Sequence, residues 1–289
     1  MWALIAGAQW SYLVLCGLTS CLTFLLRSLR WRILLNAEAH LSVGTVFSAN
    51  MAGYLGNNFL PARAGELVRT FVISSRSKLS KTYVLTTALA ERMMDAIALV
   101  LWSSVVLLGV HPKPRWLDDA SRATTFVAAA GALAVLILPY TGTLCETVIA
   151  RIPVSAAIRA RLLDLATHIL TGVRAFHDVR RLAGFLLLTV AIWGMDAAGL
   201  MIGARAFHLN VTFPMASLLL CGLGLGSALP STPGYVGIYQ FVAVTVLVPF
   251  GIPRDGALAF ILVGQAVGYV VVLVLGLPCV LQYRGWRSG

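Results

Sequence analysis

Charge is scarce in this chain. Asp, Glu, Lys and Arg make up 11% of its 289 residues, less than half of the roughly 25% usual in a soluble domain. No polar stretch is long enough to build a second core in water, so one membrane domain over residues 1–289 is expected. Lysine is scarcer still: of 22 basic residues, all but Lys78, Lys81 and Lys113 are arginine. The five cysteines (Cys16, Cys21, Cys145, Cys221 and Cys279) sit mostly in apolar runs without CxxC spacing. That excludes a disulfide framework and leaves them as small core residues. The five histidines show no ligand spacing, although Asp164 and His168 are four apart, so neither a metal nor a cofactor is expected. A basic face interleaved with aromatics is also missing, which argues against a nucleic-acid partner. No basic residue precedes the first apolar run, Trp2 to Leu26, whereas Arg27, Arg30 and Arg32 follow it. This is the reverse of a secretory signal, so the run should remain as a span with the N-terminus outside. The box Leu18 to Cys21, lacking a basic leader, is not expected to direct lipidation.

What the chain does have is apolar surface. Hydrophobic residues make up 59% of it and the mean hydropathy is +0.86. Apolar runs recur at Tyr83 to Val110, Ala123 to Leu138, Leu182 to Ala204 and Gly256 to Leu281, several near the ~20 residues of a spanning helix. The formal net charge of +11 is read as orientation, because cytoplasmic loops collect arginine. The stretches after the first run, Arg63 to Lys81, Arg151 to Arg181 and Arg284 to Arg287 then lie inside, with the C-terminus cytoplasmic.

This assignment creates a counting problem. Val43 to Leu60 begins and ends beside cytoplasmic arginines, so it cannot cross once. A re-entrant hairpin turning at Pro61 and returning along Gly65 to Ser75 resolves it; the return limb, at ~17 Å of helix, is too short to span. Tyr83 to Val110 then runs outward and Ala123 to Leu138 returns. Arg151 to Arg181 reads either as an interfacial amphipathic helix or as a solvated loop helix. Leu182 to Ala204 runs outward and Gly256 to Leu281 inward. Between them Met215 to Leu229 and Val236 to Phe250 form a second hairpin around Pro230 to Gly234, entering from the opposite face.

The expected fold is therefore all-α and polytopic, with about five full spans plus two re-entrant helical hairpins arranged as an inverted repeat. Repeat 1 covers about residues 2–110, the connecting span and interfacial helix about 123–181, and repeat 2 about 182–281. The hairpin breaks read LPARAG and LPSTPG, with Leu60 and Leu229, Pro61 and Pro230, and Gly65 and Gly234 each 169 residues apart. Paired Gly/Pro-interrupted segments in two halves point to a transporter's binding site near the midplane.

At the first break Arg63 and Glu66 are three apart and Arg69 one turn further; with the free amides of the return limb they suit a phosphate, unless Arg63 and Glu66 simply pair. At the second, Ser231 or Thr232 is expected to cap a helix beginning at Pro233, leaving neutral donors near Gly234 and Gly237. Glu91, Arg92 and Asp95 fall ~12 to 18 Å into their span. They read either as part of a ligand site or as an ion lock between this span and the first hairpin. Asp196, beside Trp193, is either a proton or counter-ion site or a protonated, hydrogen-bonded side chain. The small-residue spacing of Gly222, Gly224 and Gly226, and of Gly264 with Gly268, favours close packing and leaves a homo-oligomer open.

The stretches NNFLPARAGELVR (Asn57 to Arg69), ERMMD (Glu91 to Asp95) and PSTPGYVGIYQ (Pro230 to Gln240) resemble, in that order, the flippase-type transmembrane region of the lysylphosphatidylglycerol synthase family. The resemblance implies a bacterial or archaeal cell-membrane protein that moves phospholipids or other lipid-linked anions between leaflets. It carries Arg63, Gly65, Glu66, Arg69, Glu91, Arg92, Asp95, Pro233, Gly234 and Gly237 over as site residues. Gln240 stands where many relatives carry an acid, so neither proton coupling nor a cationic headgroup contact is expected at that position. Relatives that aminoacylate phosphatidylglycerol use a soluble C-terminal domain. The sequence ends at Gly289 after an apolar run, so a translocase of membrane lipids is expected and a synthase is not. The alternatives are an intramembrane enzyme using Glu66, Glu91 or Asp95 as acid or base on a lipid phosphate, and a non-transporting envelope scaffold.

Overall fold

The computed structural model describes residues 2–60, 64–109, 178–227 and 233–285, together with short pieces between 126 and 163. The described residues are helical and contain no strand. A one-turn α1 (Trp2–Ala6) precedes α2 (Trp10–Leu35), α3 (Val43–Phe59), α4 (Gly65–Arg76) and α5 (Lys81–Gly109). The second set is α6 (Val179–Arg205), α7 (Phe213–Gly226), α8 (Ile238–Leu247) and α9 (Arg254–Gly285). The connecting span expected at Ala123 to Leu138 and the helix expected at Arg151 to Arg181 lie outside the described residues, apart from those short pieces.

Among the described residues three helices, α2, α6 and α9, are long and apolar enough to cross a membrane. The 29 residues of α5 would reach ~43 Å, but they carry Glu91, Arg92 and Asp95. The limbs α3, α4, α7 and α8 are shorter, at 17, 12, 14 and 10 residues. Local chemistry sets several ends. Ser42 Oγ accepts from the Thr45 amide at 3.1 Å and opens α3, and Asp178 Oδ1 accepts from the Arg180 amide at 2.9 Å and opens α6.

The distribution of polarity is inverted relative to a soluble protein. Trp10, Val14, Leu18 and Leu22, four apart along α2, are all exposed, as are Val270, Val274, Leu277 and Leu281 of α9. Arg30, Arg69, Glu91 and Asp95 are buried. Apolar stripes outside and ions inside are the arrangement a hydrocarbon solvent selects, because ionisable groups then face other protein groups rather than lipid.

Helices α2 and α6 run antiparallel in close contact: the Gln9 amide reaches the Ala206 carbonyl at 2.9 Å, Arg27 meets Asp196, and Arg30 meets Thr189. Around this pair α3 packs on α4 and α7 on α8, α4 lies on α5 and α8 on α9, while α3 crosses to α9 and α7 crosses to α5. Two large apolar cores result, with a small third around Leu99, Trp193 and Cys221. Trp31, Val46, Ile73 and Phe185 centre the one that holds the first hairpin, and Ala204, Leu219, Ala243 and Phe260 centre the one that holds the second.

Two expectations need correction. The helix does not end with the apolar run at Leu26: α2 continues through Leu35, so Arg30 is buried within it and Arg27 mostly buried, rather than both following its end. Pro233 does not begin a helix either. It belongs to a single 3-10 turn, Pro233–Tyr235, followed by Gly237 at φ +93°, and α8 starts at Ile238. The left-handed residues Gly234 (φ +73°) and Tyr235 (φ +61°) break the helix here.

Candidate functional site

Six side chains close a ring of ion pairs. Glu66 takes Arg69 at 2.5 Å and Arg92 at 2.9 Å; Glu91 takes Arg69 at 2.9 Å and Arg30 at 3.1 Å; Asp95 takes Arg30 at 2.6 Å and Arg92 at 3.9 Å. Three guanidiniums alternate with three carboxylates, so the ring is formally neutral. It is seated by α2, α4 and α5, with Asn50 of α3 accepting from Arg69 at 3.2 Å and donating to Ser28 at 3.1 Å. Aromatic faces cover two of the cations: Arg69 lies 4.5 Å from the Trp31 ring and Arg30 lies 5.0 Å from Phe185. The sequence spacing explains the acids: Glu91 and Asp95 are one turn apart on α5 and both meet Arg30.

A further pair stands beside the ring. Arg27 of α2 meets Asp196 of α6 at 2.6 Å, with its guanidinium 5.5 Å from the Trp193 ring. Both residues line a chamber of about 700 Å³. Glu66, Arg92 and Asp95 line the same chamber, so the charged ring presents one edge to it while Arg30, Arg69 and Glu91 stand behind. The first hairpin contributes Tyr54, Asn57 and Asn58, and the second contributes Tyr235 and Tyr239, whose rings stack 5.0 Å apart. A second cavity of about 320 Å³ adjoins it; the aromatic rings of Phe24, Tyr54, Tyr235 and Tyr239 line both, as do Thr23 and Asp196. This annex is mainly apolar, with Phe260, Ile261 and Val272 in its wall.

The hairpin tips are built by different chemistry. In the first, the Gly65 amide donates to Asn57 Oδ1 at 3.0 Å, and a Cβ on Gly65 would collide with the Gly53 carbonyl, so α3 and α4 approach as closely as they do only with glycine there. In the second, the Gly234 carbonyl accepts from Gln265 and Tyr269 of α9. Gln240 accepts from the Gly237 amide at 2.6 Å and donates to Gln265 at 2.8 Å, linking the start of α8 to the same helix.

Among the sequence-derived candidates, Glu66, Arg92, Asp95 and Asp196 line the chamber, and Gly234 lines the annex. Arg69 and Glu91 are buried behind it, and Gly65, Gly237 and Gln240 shape the hairpins. Arg63, Ser231 and Thr232 lie outside the described residues. Glu66 is held by Arg69 and Arg92. The pairing of Arg69 and Arg92 with acids across α4 and α5 realises the ion lock between span and hairpin. Asp196 is paired rather than isolated. The sequence reading missed Arg27, Arg30, Asn50, Gln265 and Tyr269. For the two arginines a signal was present: they lie three apart, before the apolar residues Ile33 to Leu35, as on a helix that continues. The glycine spacing is used internally at Gly222, Gly224 and Gly226, which face Val242, Leu99 and Ile238, while Gly264 and Gly268 line the annex.

An all-helical membrane protein enclosing a neutralised ion ring beside a two-part cavity is the class that this geometry defines. The chain matches the family described as the lysylphosphatidylglycerol synthase TM region over residues 1–276 and belongs to that family. It is 26% identical to Glycosyltransferase AglD of Haloferax volcanii, covering 97% of this chain and 49% of the relative, and so spans about half of that protein. It is 22% identical to UPF0104 membrane protein PH1989 of Pyrococcus horikoshii, covering 97% of this chain and 90% of the relative. No solved structure matches. Family and composition together give a membrane location and a role connected with membrane lipids.

Proposed function

We propose that this chain is a lipid translocase of the cell membrane that moves an anionic or lipid-linked phosphate headgroup between leaflets. The observation that carries the reading is the two-part cavity between the hairpins: a charged and amide-lined chamber for a headgroup, opening through an aromatic neck into an apolar annex for the adjoining chain. Binding pockets for amphiphiles need this division, because a headgroup left in hydrocarbon keeps its full desolvation cost.

On this reading the chain makes about five spans, namely α2, α5, the segment Ala123 to Leu138, α6 and α9, with α3–α4 and α7–α8 as re-entrant hairpins. The N-terminus is outside and the C-terminus inside. The order of packing supports an inverted repeat. Exchanging α2, α3, α4 and α5 for α6, α7, α8 and α9 turns the contact of α3 with α9 into that of α7 with α5, and the contact of α4 with α5 into that of α8 with α9. Arg27 and Asp196, which meet across the antiparallel α2 and α6, are separated by 169 residues, the interval that also separates the hairpin motifs. Positions equivalent under a two-fold operation touch each other only near its axis, so this pair marks where the two halves would rock.

The enzyme reading is weakened by the ring. Glu66, Glu91 and Asp95 each contact two guanidiniums, so the oxygens that would exchange a proton with a substrate are already engaged in ion pairs.

The test is translocation of headgroup-labelled phosphatidylglycerol in vesicles reconstituted with the purified chain. Protein-dependent access of a membrane-impermeant quencher to inner-leaflet label is expected, and its loss in Arg63→Ala with an unchanged melting temperature. Transport-free vesicles containing folded wild-type protein with phosphatidylglycerol, phosphatidic acid and a polyprenyl phosphate would overturn the translocase reading.

A further inference from the structure

Among the described residues that line the chamber, and apart from Glu66 Oε2, which Arg69 holds as an ion pair, two buried side-chain atoms have no hydrogen-bond partner: Thr23 Oγ1 and Trp193 Nε1. Thr23 is 3% exposed and Trp193 6%. Thr23 lies one turn before Arg27 on α2, and Trp193 one turn before Asp196 on α6, so both share the helix faces that carry the Arg27–Asp196 pair. An indole N–H is only a donor, and a threonine hydroxyl is free to rotate and donate. Buried donors without acceptors are costly, and a pair of them beside a cation in a cavity wall calls for a bound group.

Arg27 also differs from the ring arginines. It reaches a single carboxylate through one Nη and keeps 15% of its side chain accessible, whereas Arg30 and Arg69 are nearly inaccessible and hold two carboxylates each. Among the described residues Arg92 is the other guanidinium on the chamber; it is held by Glu66 and Asp95, so an anion there meets two carboxylates in contact. At Arg27, among the described residues, one carboxylate, that of Asp196, is in ion-pair contact.

We infer that Arg27, Thr23 and Trp193 form a phosphate subsite between the first helices of the two halves, and that Asp196 fills it when no phosphate is bound. One guanidinium, one indole N–H and one hydroxyl are three kinds of donor that a tetrahedral oxyanion accepts. Phosphate binding displaces Asp196 from Arg27 and so breaks the direct ionic link between α2 and α6. The chemistry is that of a phosphate group, whether on a lipid or free in solution. The inference takes the lipid source from the translocase reading, and nothing else depends on it.

Calorimetric titration of the purified full chain in neutral detergent tests this, with dihexanoyl phosphatidic acid, inorganic phosphate and dihexanoylglycerol as three probes. Asp196→Asn is expected to bind dihexanoyl phosphatidic acid about tenfold tighter than the wild type, because the competing carboxylate is gone. Thr23→Val removes one donor at nearly constant volume and Trp193→Phe removes the indole N–H together with part of the ring; each is expected to weaken it about threefold to tenfold. Arg27→Gln is expected to lose it. Unchanged affinity in both Trp193→Phe and Thr23→Val, or no gain in Asp196→Asn, overturns the subsite even where Arg27→Gln does not fold. The same ranking with inorganic phosphate, and no added affinity from the acyl chains, sustains the subsite and removes the lipid reading. Equal binding of phosphatidic acid and dihexanoylglycerol without any ranking removes the subsite and leaves translocation to be decided by the vesicle assay.

Discussion

Arg30 holds Asp95 through both terminal nitrogens, at 2.6 and 2.9 Å, across two helices whose contacting residues are 65 positions apart. A planar guanidinium and a carboxylate match in this fork geometry, and the pair is secured further by Glu91 and by the Thr189 hydroxyl. The bond explains how an arginine can occupy the interior of a membrane protein. Its charge is balanced where it stands, and its donors face acids rather than lipid. The ring that follows from it fixes α2 to α5, and through Arg69 and Glu66 fixes the first hairpin to both.

Removing one member of the ring should therefore cost more than removing an opposed pair. Glu91→Gln leaves Arg30 and Arg69 with a carboxylate too few and is expected to destabilise the protein by about 3–5 kcal/mol, the usual cost of an uncompensated buried charge. Glu91→Gln combined with Arg69→Gln should be less damaging than the sum of the single changes. Thermal unfolding of the four proteins in detergent measures the coupling; additive losses would mean that the ring does not act as a unit.

The glycines divide into two groups by what surrounds them. Gly65→Ala places a methyl group against the Gly53 carbonyl and Asn57, and should prevent the first hairpin from closing, seen as loss of folded protein. Gly264→Ala and Gly268→Ala meet nothing within 4 Å and should melt like the wild type. Gly268→Leu puts a side chain into the annex, so it is expected to slow translocation of long-chain lipid without a matching loss of stability.

Tyr269→Phe removes one of two donors from the Gly234 carbonyl. A loss of about 1 kcal/mol is expected, and it should be felt locally. Hydrogen exchange at residues 233–238 should quicken while exchange in α2 and α6 stays unchanged. Equal acceleration throughout would show that Tyr269 supports the whole fold rather than the second hairpin.

Single cysteines at Ala62 and Thr232 in a background without native cysteines report the proposed topology. Both should resist a bulky impermeant maleimide, and any residual labelling should come from opposite sides of the membrane. A tip labelled fully from one face contradicts an inverted pair of re-entrant hairpins.

Much of the helical layout is legible in the sequence. The short limb after Pro61 is read as Gly65 to Ser75 and found as Gly65–Arg76, because an apolar run bounded by a Pro/Gly break and by polar Ser, Lys and Arg has few other ways to fold. The acids on α5 are legible as an ion cluster, since helical spacing alone sets Glu91 and Asp95 one turn apart. Their main partner is not. Arg30 reads as a flank residue because hydropathy counts charges along the chain and cannot register an acid 65 positions away.

The start of α8 shows the same limit on a smaller scale. Proline favours a first helical turn, so Pro233 is the natural start from sequence, but Gly234 and Tyr235 take left-handed backbone where α9 supplies donors to the Gly234 carbonyl. By itself the sequence determined membrane residence, helical class, the two broken segments and the family, all of which follow from composition and local order. Only the tertiary structure decided which charges are neutralised, which face a cavity, and that Arg27 meets Asp196. Those outcomes depend on how α2 and α6 cross, and pairing energy between buried ions is set by ångström-scale distance in space, not by position along the chain.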